Sequence, residues 1–197
     1  MKTYTAAQMR EAEAPFLAAG VPLMERAAAA LAVETAALLA AQGARVAVVP
    51  MASHLHERGL IAALEAGAAL LPLTETDAAP PHASRASAVI LDGVLGTGTS
   101  ASPALRGRAR QVVAAILSAL HGDKAPLVVA VDLPSGIGVD DGTVPDSAVL
   151  PANLTVTFGG CKAGLLREPA ANLSGRIVVA DIGLGDELER LAARDRG

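Results

Sequence analysis

Aromatic residues make up only 2% of this chain, with no tryptophan and one tyrosine among 197 residues. A core without large rings has to be assembled from Ala, Val, Leu and Ile, which favours thin layers and close helix-to-sheet packing. The same scarcity argues against a surface that stacks nucleic-acid bases. A basic cluster is missing too, and the formal charge of -4 argues against nucleic acid or an anionic membrane as a partner. The single cysteine, Cys161, excludes an internal disulfide and agrees with a reducing, cytoplasmic setting. No basic leader runs into an apolar stretch with a cleavage site. The alanine-rich residues 27–41 are broken by Glu34 and Thr35, so neither signal peptide nor membrane span is expected. What remains is one domain, residues 1–197, large enough for a proper core and suited to a small-molecule ligand.

Hydrophobic residues, at 52%, are concentrated in short apolar runs that alternate with helical patterns. Thr5 and Gln8 have capping-box spacing, and residues 6–17 then place Met9, Ala12 and Phe16 on one helical face. Pro22 opens a second helix that Gly43 stops, and strands are expected at 45–50 and 68–73 with a helix over 55–66 between them. His54 and His56 lie two apart on a helix with no third ligand nearby, which favours a solvated pair over a metal site. Further strands are expected at 88–91, 127–131, 154–158 and 176–180, with a helix over 105–120 and a charged helix or tail over 186–194. About six mostly apolar strands alternating with helices predict an α/β fold, a three-layer αβα sandwich around a Rossmann-like, mainly parallel sheet.

Three of those strands end in chemistry. Residues 127–131 are five unbroken apolar residues, three of them valine, followed by Asp132-Leu133-Pro134-Ser135-Gly136. In an open parallel sheet, ligands sit beyond the carboxyl ends of the strands, which makes Asp132 a candidate; the alternative is a carboxylate that caps the following turn. The strand at 88–91 repeats the pattern with Asp92-Gly93-Val94-Leu95 and then Gly96-Thr97-Gly98-Thr99-Ser100-Ala101-Ser102. Glycines there let backbone approach a ligand, and amides leading into a helix suit an anion. The run is neither the dinucleotide fingerprint nor a nucleotide-binding P-loop, and a plain flexible connection is the other reading. Lys162 falls after the third strand, among Gly159, Gly160 and Gly164, where it can bind phosphate, tune a neighbouring acid or simply face solvent. Asp92, Asp132 and Lys162 gather at one sheet edge if their strands are neighbours. The Gly-, Asp- and Pro-rich residues 137–151 read as a long loop, of a length that is often functional.

Five motifs, in this order and nearly end to end, resemble the YjeF N-terminal domain family, the NAD(P)H-hydrate epimerases. They are Gln8-Met9-Arg10 with Leu23-Met24-Glu25; Leu91-Asp92-Gly93-Val94-Leu95-Gly96-Thr97-Gly98; Val131-Asp132-Leu133-Pro134-Ser135-Gly136; Thr155-Val156-Thr157-Phe158-Gly159 with Lys162 and Gly164; and Asp181-Ile182-Gly183-Leu184. The resemblance implies an isomerase that repairs nicotinamide cofactor by interconverting the R and S forms of hydrated NADH and NADPH, NADHX and NADPHX. It further implies Asp92 and Ser135 as potassium ligands, Gly96 to Ser102 and Lys162 around the substrate, and Asp132 as a substrate-binding and catalytic acid. A homodimer, and a fused or separate ADP- or ATP-dependent dehydratase, are the partners it implies.

One family element has no counterpart. After its first strand the family carries a Gly-Asn-Asn-Gly-Gly-Asp or Gly-Asp-Asn-Gly-Gly-Asp loop that contacts the substrate and a cation, and no such run occurs here. The resemblance places the omission near residues 33–38 and extends it to a strand and part of a helix; either a segment is missing, which a strand gap beside residues 127–131 would support, or the sheet is rearranged, and one continuous helix over 22–42 above a complete sheet would oppose an omission. Two other readings are therefore carried: a degenerate relative that binds a nucleotide-like ligand or a protein without turnover, and an ordinary NAD-dependent oxidoreductase. The missing dinucleotide fingerprint argues against the second.

Overall fold

The computed structural model describes residues 1–21, 23, 47–48, 69–70, 89–96, 102–120 and 125–194. In chain order these form β1 (Thr3–Tyr4), α1 (Ala6–Ala18), β2 (Ala47–Val48), β3 (Ala69–Leu70), β4 (Val89–Asp92) and α2 (Gly107–Ala119). Then follow β5 (Leu127–Val131), β6 (Leu154–Phe158), β7 (Cys161–Lys162), a 3-10 turn (Ala163–Leu166), α3 (Ala171–Ser174), β8 (Arg176–Ala180) and α4 (Gly185–Arg194).

The main sheet is parallel, four strands in the order β4-β5-β6-β8. Strand β5 is apolar without alternation because both its faces are covered. Val128 and Ala130 pack with Val113 of α2, whereas Val129 packs with Leu154, Val156 and Ala180. Phe158 carries that second face on to a cluster made by Met9 and Ala12 of α1 with Leu188 and Leu191 of α4. Helices thus lie on both sides of the sheet, as the alternation of elements predicts. Asn153 ties the strand starts together: its side chain and amide exchange hydrogen bonds with Val128 at 2.7 and 2.8 Å, and its carbonyl accepts from Arg176 N at 3.0 Å.

Strands β5, β6 and β8 fall where the apolar runs place them. Strand β4 extends one residue further than expected, so Asp92 ends a strand instead of opening a loop, and its Cα partners Ala130. Helix α2 starts at Gly107, with Leu105 buried ahead of it. The capping box at Thr5 is complete, with the Gln8 amide and side chain both engaged. Two-residue strands have no periodicity to read, and β1 and β7, which pair in parallel as Thr3↔Cys161 and Tyr4↔Lys162, are additions to the expected six. Strand β5 is paired on both edges, so no strand gap lies beside residues 127–131; among the described residues the edge strands of this sheet are β4 and β8. Strands β2 and β3 pair with each other in a ladder of their own. The remaining expectations for residues 22, 24–46 and 51–68, including the omission near 33–38 and the pair His54 and His56, lie outside the described residues.

Residues 137–151 are indeed irregular, but they pack as a support. Ile137 and Val149 join Leu133, Cys161 and Leu165 in a buried cluster. Gly164 N donates to Val139 O at 2.7 Å, and Asp140 Oδ1 accepts from Ala6 N at 2.6 Å. The excursion therefore braces both β7 and the first turn of α1.

Candidate functional site

Asp132 is the one residue other than glycine with positive φ (70°) among those described. A left-handed backbone at such a residue costs on the order of 1–3 kcal/mol and persists only where its surroundings impose it. Here Asp132 N completes the β5–β6 ladder on Val156 O at 2.7 Å, and the turn swings the side chain over the end of β6. There Asp132 Oδ1 accepts from Thr157 Oγ1 at 3.0 Å and Phe158 N at 3.4 Å, and Lys162 Nζ makes an ion pair with the same oxygen. All these donors converge on Oδ1; among the described residues none reaches Oδ2. Among the described residues the carboxyl is thus anchored by one oxygen only.

Lys162 is buried, with a side chain 3% exposed, and its ammonium also donates to Phe158 O at 2.9 Å. It reaches Asp132 because the chain doubles back at Gly159 and Gly160. Gly159 has φ of +69°, and a Cβ on Gly160 would stand 2.7 Å from Tyr4 Cδ2. The glycines flanking Lys162 serve this turn and the close seat of β1.

Asp92, 2% exposed, lies one strand over. Its Oδ2 accepts from Ser135 N at 2.8 Å, while Ser135 Oγ accepts from Leu95 N at 2.9 Å and lies 3.4 Å from Leu95 O. Burial pushes the Asp92 carboxyl above its ordinary range, against the hydrogen bonds from Ser135 and Val94. No lysine or arginine balances it among the described residues. A buried carboxylate without a cationic partner, beside a hydroxyl and a backbone carbonyl, is a hard-oxygen set suited to a monovalent cation. Among the described residues, no three His, Cys, Asp or Glu side chains cluster as ligands for a transition metal.

Because β4, β5 and β6 are neighbours, Asp92, Asp132 and Lys162 do collect beyond one end of the sheet. Gly96 is exposed and Ser102 half-buried at the two ends of the glycine-rich run; Thr97, Gly98, Thr99, Ser100 and Ala101 lie outside the described residues. Two contributors were not among the expected site residues. Thr157 is fully buried, and a hydroxyl in the middle of a buried strand has to find an acceptor; that signal was available in the alternation of Thr155 and Thr157 along β6. Glu13 of α1 is half-buried; burial pushes its carboxyl up, the charges of Lys162 and Arg10 pull it down, and Asp132 pushes it up again.

Comparison with known proteins bears on this arrangement directly. The family described as YjeF-related protein N-terminus matches residues 25–164. The chain belongs to that family. Relatives named NAD(P)H-hydrate epimerase are 44% identical in Clavibacter michiganensis, over 92% of this chain and 90% of the relative, and 41% identical in Microbacterium testaceum, over 95% and 80%. A protein named bifunctional NAD(P)H-hydrate repair enzyme Nnr, from Mycobacterium tuberculosis, is 47% identical over 51% of this chain and 19% of its own length. The crystal structure of yeast ynu0 (YNL200c) has a similar fold, with a TM-score of 0.64 at 13% identity over 83% of each chain. The match to the C. michiganensis relative runs over 207 positions, more than the 197 residues of this chain, so that relative carries residues without a counterpart here.

Proposed function

We propose that this chain epimerises the R and S forms of hydrated NADH and NADPH in nicotinamide cofactor repair. The observation that carries the reading is the anchored Asp132 carboxyl, with Oδ1 engaged and, among the described residues, no donor on Oδ2, in a chain 44% identical to a relative named for that reaction.

In the hydrate, the ring carbon that bears the hydroxyl adjoins the ring nitrogen. The nitrogen lone pair forms a C=N bond as the C–O bond breaks, and the departing oxygen takes a proton and leaves as water. The planar iminium then accepts water on either face, and the proton returns to its donor. One group has to give and retake that proton, and in this reading Asp132 does so through Oδ2; its position at a strand end, where ligands of parallel sheets bind, supports the assignment. Lys162 and Thr157 hold the carboxyl by its other oxygen, which limits its rotation during the transfer. Lys162 thereby contributes from beneath the substrate.

Potassium is the cofactor of this reading, held by Asp92, Ser135 and the Leu95 carbonyl; when bound it supplies positive charge beside the substrate. Gly96 to Ser102 are the substrate-binding residues of this reading. A homodimer, a cytoplasmic setting and a dehydratase consuming the S epimer complete the proposal.

A binding module without turnover is the second reading, favoured by the residues that the relatives carry and this chain lacks. Purified protein mixed with R-NADHX and an S-specific dehydratase separates the two. Sustained loss of both epimers supports the enzyme, and a plateau with R remaining supports the binder.

A further inference from the structure

Strand β6 carries two threonines on one side and Leu154, Val156 and Phe158 on the other, where those three join the apolar cluster around Val129 and Ala180. Both threonines are fully buried. Valine has the same shape and suits a buried strand as well, so each hydroxyl has to be accounted for by its acceptor. Thr155 Oγ1 donates to Ser174 O at 2.6 Å, which ties β6 to the end of α3. Thr157 Oγ1 stands 3.0 Å from Asp132 Oδ1 and, in a second and longer contact, 3.4 Å from Gly160 O. A hydroxyl has one proton to give, and the shorter contact takes it. One threonine thus serves the fold and the other the acid.

Three donors reach Asp132 Oδ1, and they differ in stiffness. Lys162 Nζ sits at the end of a four-carbon stem and can follow the carboxyl to a new position. Phe158 N is fixed in the backbone but stands at 3.4 Å, at the limit of a hydrogen bond. Thr157 combines the shorter distance with a β-branched side chain that has little freedom at χ1. Asp132 needs such a fixed point, because its own backbone, at φ of 70°, holds a conformation that its surroundings have to impose. We propose that Thr157 is the positioning residue of the Asp132 carboxyl, its hydroxyl setting the direction in which Oδ2 is presented. The catalytic consequence rests on the epimerase reading; the positioning itself does not. Without the hydroxyl the carboxyl keeps Lys162 but loses its stiff reference, and a reacting group misplaced by roughly 1 Å loses on the order of 100-fold in rate.

The test compares wild type with Thr157→Val, Thr157→Ser and Thr155→Val. Thr157→Val keeps the volume and drops the hydroxyl, whereas Thr157→Ser keeps the hydroxyl and opens a methyl-sized space. Thr155→Val removes a buried hydrogen bond of the same kind from the same side of the same strand. In Thr157→Val, kcat for epimerisation should fall about tenfold or more, with KM changing far less. In Thr157→Ser and Thr155→Val it should stay within about threefold of wild type, although all three variants lower the melting temperature. A threonine that only supports the fold would instead rank the activities by stability. Crystal structures should show the Asp132 carboxyl turned from its wild-type orientation in Thr157→Val and in place in Thr157→Ser. A folded Thr157→Val protein with wild-type kcat, or with the carboxyl in its wild-type orientation, overturns the proposal, as does a Thr157→Ser protein that loses kcat to the same extent. If wild type shows no epimerisation while the carboxyl turns in Thr157→Val, the epimerase reading fails and the positioning stands.

Discussion

Lys162 Nζ is paired with Asp132 across 30 positions of sequence, and the same ammonium holds the Phe158 carbonyl at 2.9 Å. One buried cation therefore fixes both the acid and the strand end beneath it. Replacing Lys162 with Met leaves the Asp132 carboxyl and the Phe158 carbonyl without their shared donor at once. Loss of one partner of a buried pair costs roughly 3–5 kcal/mol, and urea denaturation should show a loss of that order with epimerisation falling in parallel. A change below about 0.5 kcal/mol would mean that solvent already satisfies both groups.

Asp132→Asn keeps an oxygen for Lys162 and Thr157 but removes the exchangeable proton. Stability should fall by about 1–3 kcal/mol, well short of unfolding, while epimerisation drops by orders of magnitude. Near-normal turnover in a folded variant would take Asp132 out of the mechanism.

Asp92 gives a prediction with a definite sign. Burial raises its carboxyl above the ordinary 3.8, so the folded chain binds that proton more tightly than the unfolded one. Stability contributed by this group is therefore greatest below 3.8 and is lost as pH rises through the folded value. A cation on the ionised carboxylate offsets the loss. At neutral pH, potassium chloride should raise the melting temperature relative to choline chloride at equal ionic strength, and Asp92→Asn should abolish the difference. A potassium-dependent rise that survives in Asp92→Asn would remove this residue from the cation site.

Gly160 tests how Lys162 is seated. A Cβ there meets Tyr4 Cδ2 at 2.7 Å and Leu188 Cδ1 at 3.0 Å, so Gly160→Ala has to push β1 or α4 aside. The cost expected from such overpacking is roughly 1–3 kcal/mol, with reduced activity as Lys162 shifts. Unchanged calorimetric stability would show that the contact relaxes freely.

The sheet was legible because β5, β6 and β8 are apolar runs bounded by turn residues, and each is found at its expected limits. Asp132 and Asp92 were legible for a related reason: an acid directly after a buried strand has to be accounted for. Lys162 was placed near them by sequence, but its burial came from β1 and β7, two-residue strands whose pairing depends on residues 159–160 turning back. Glu13 carries no motif that marks it, since helical spacing shows which positions share a face and not what stands opposite. The 137–151 loop invited a functional role by its length, and its packing against Leu133, Cys161 and Leu165 makes it a brace.

The central claim is that this chain interconverts the epimers by expelling and readmitting water. Pure R-NADHX incubated with the protein in oxygen-18 water, followed by proton NMR and mass spectrometry, tests it most directly. The account predicts S-NADHX forming faster than in buffer, with label at the hydroxyl of the product, and neither effect in Asp132→Asn. Epimerisation at the buffer rate, or S-NADHX formed by the protein without label, would contradict it.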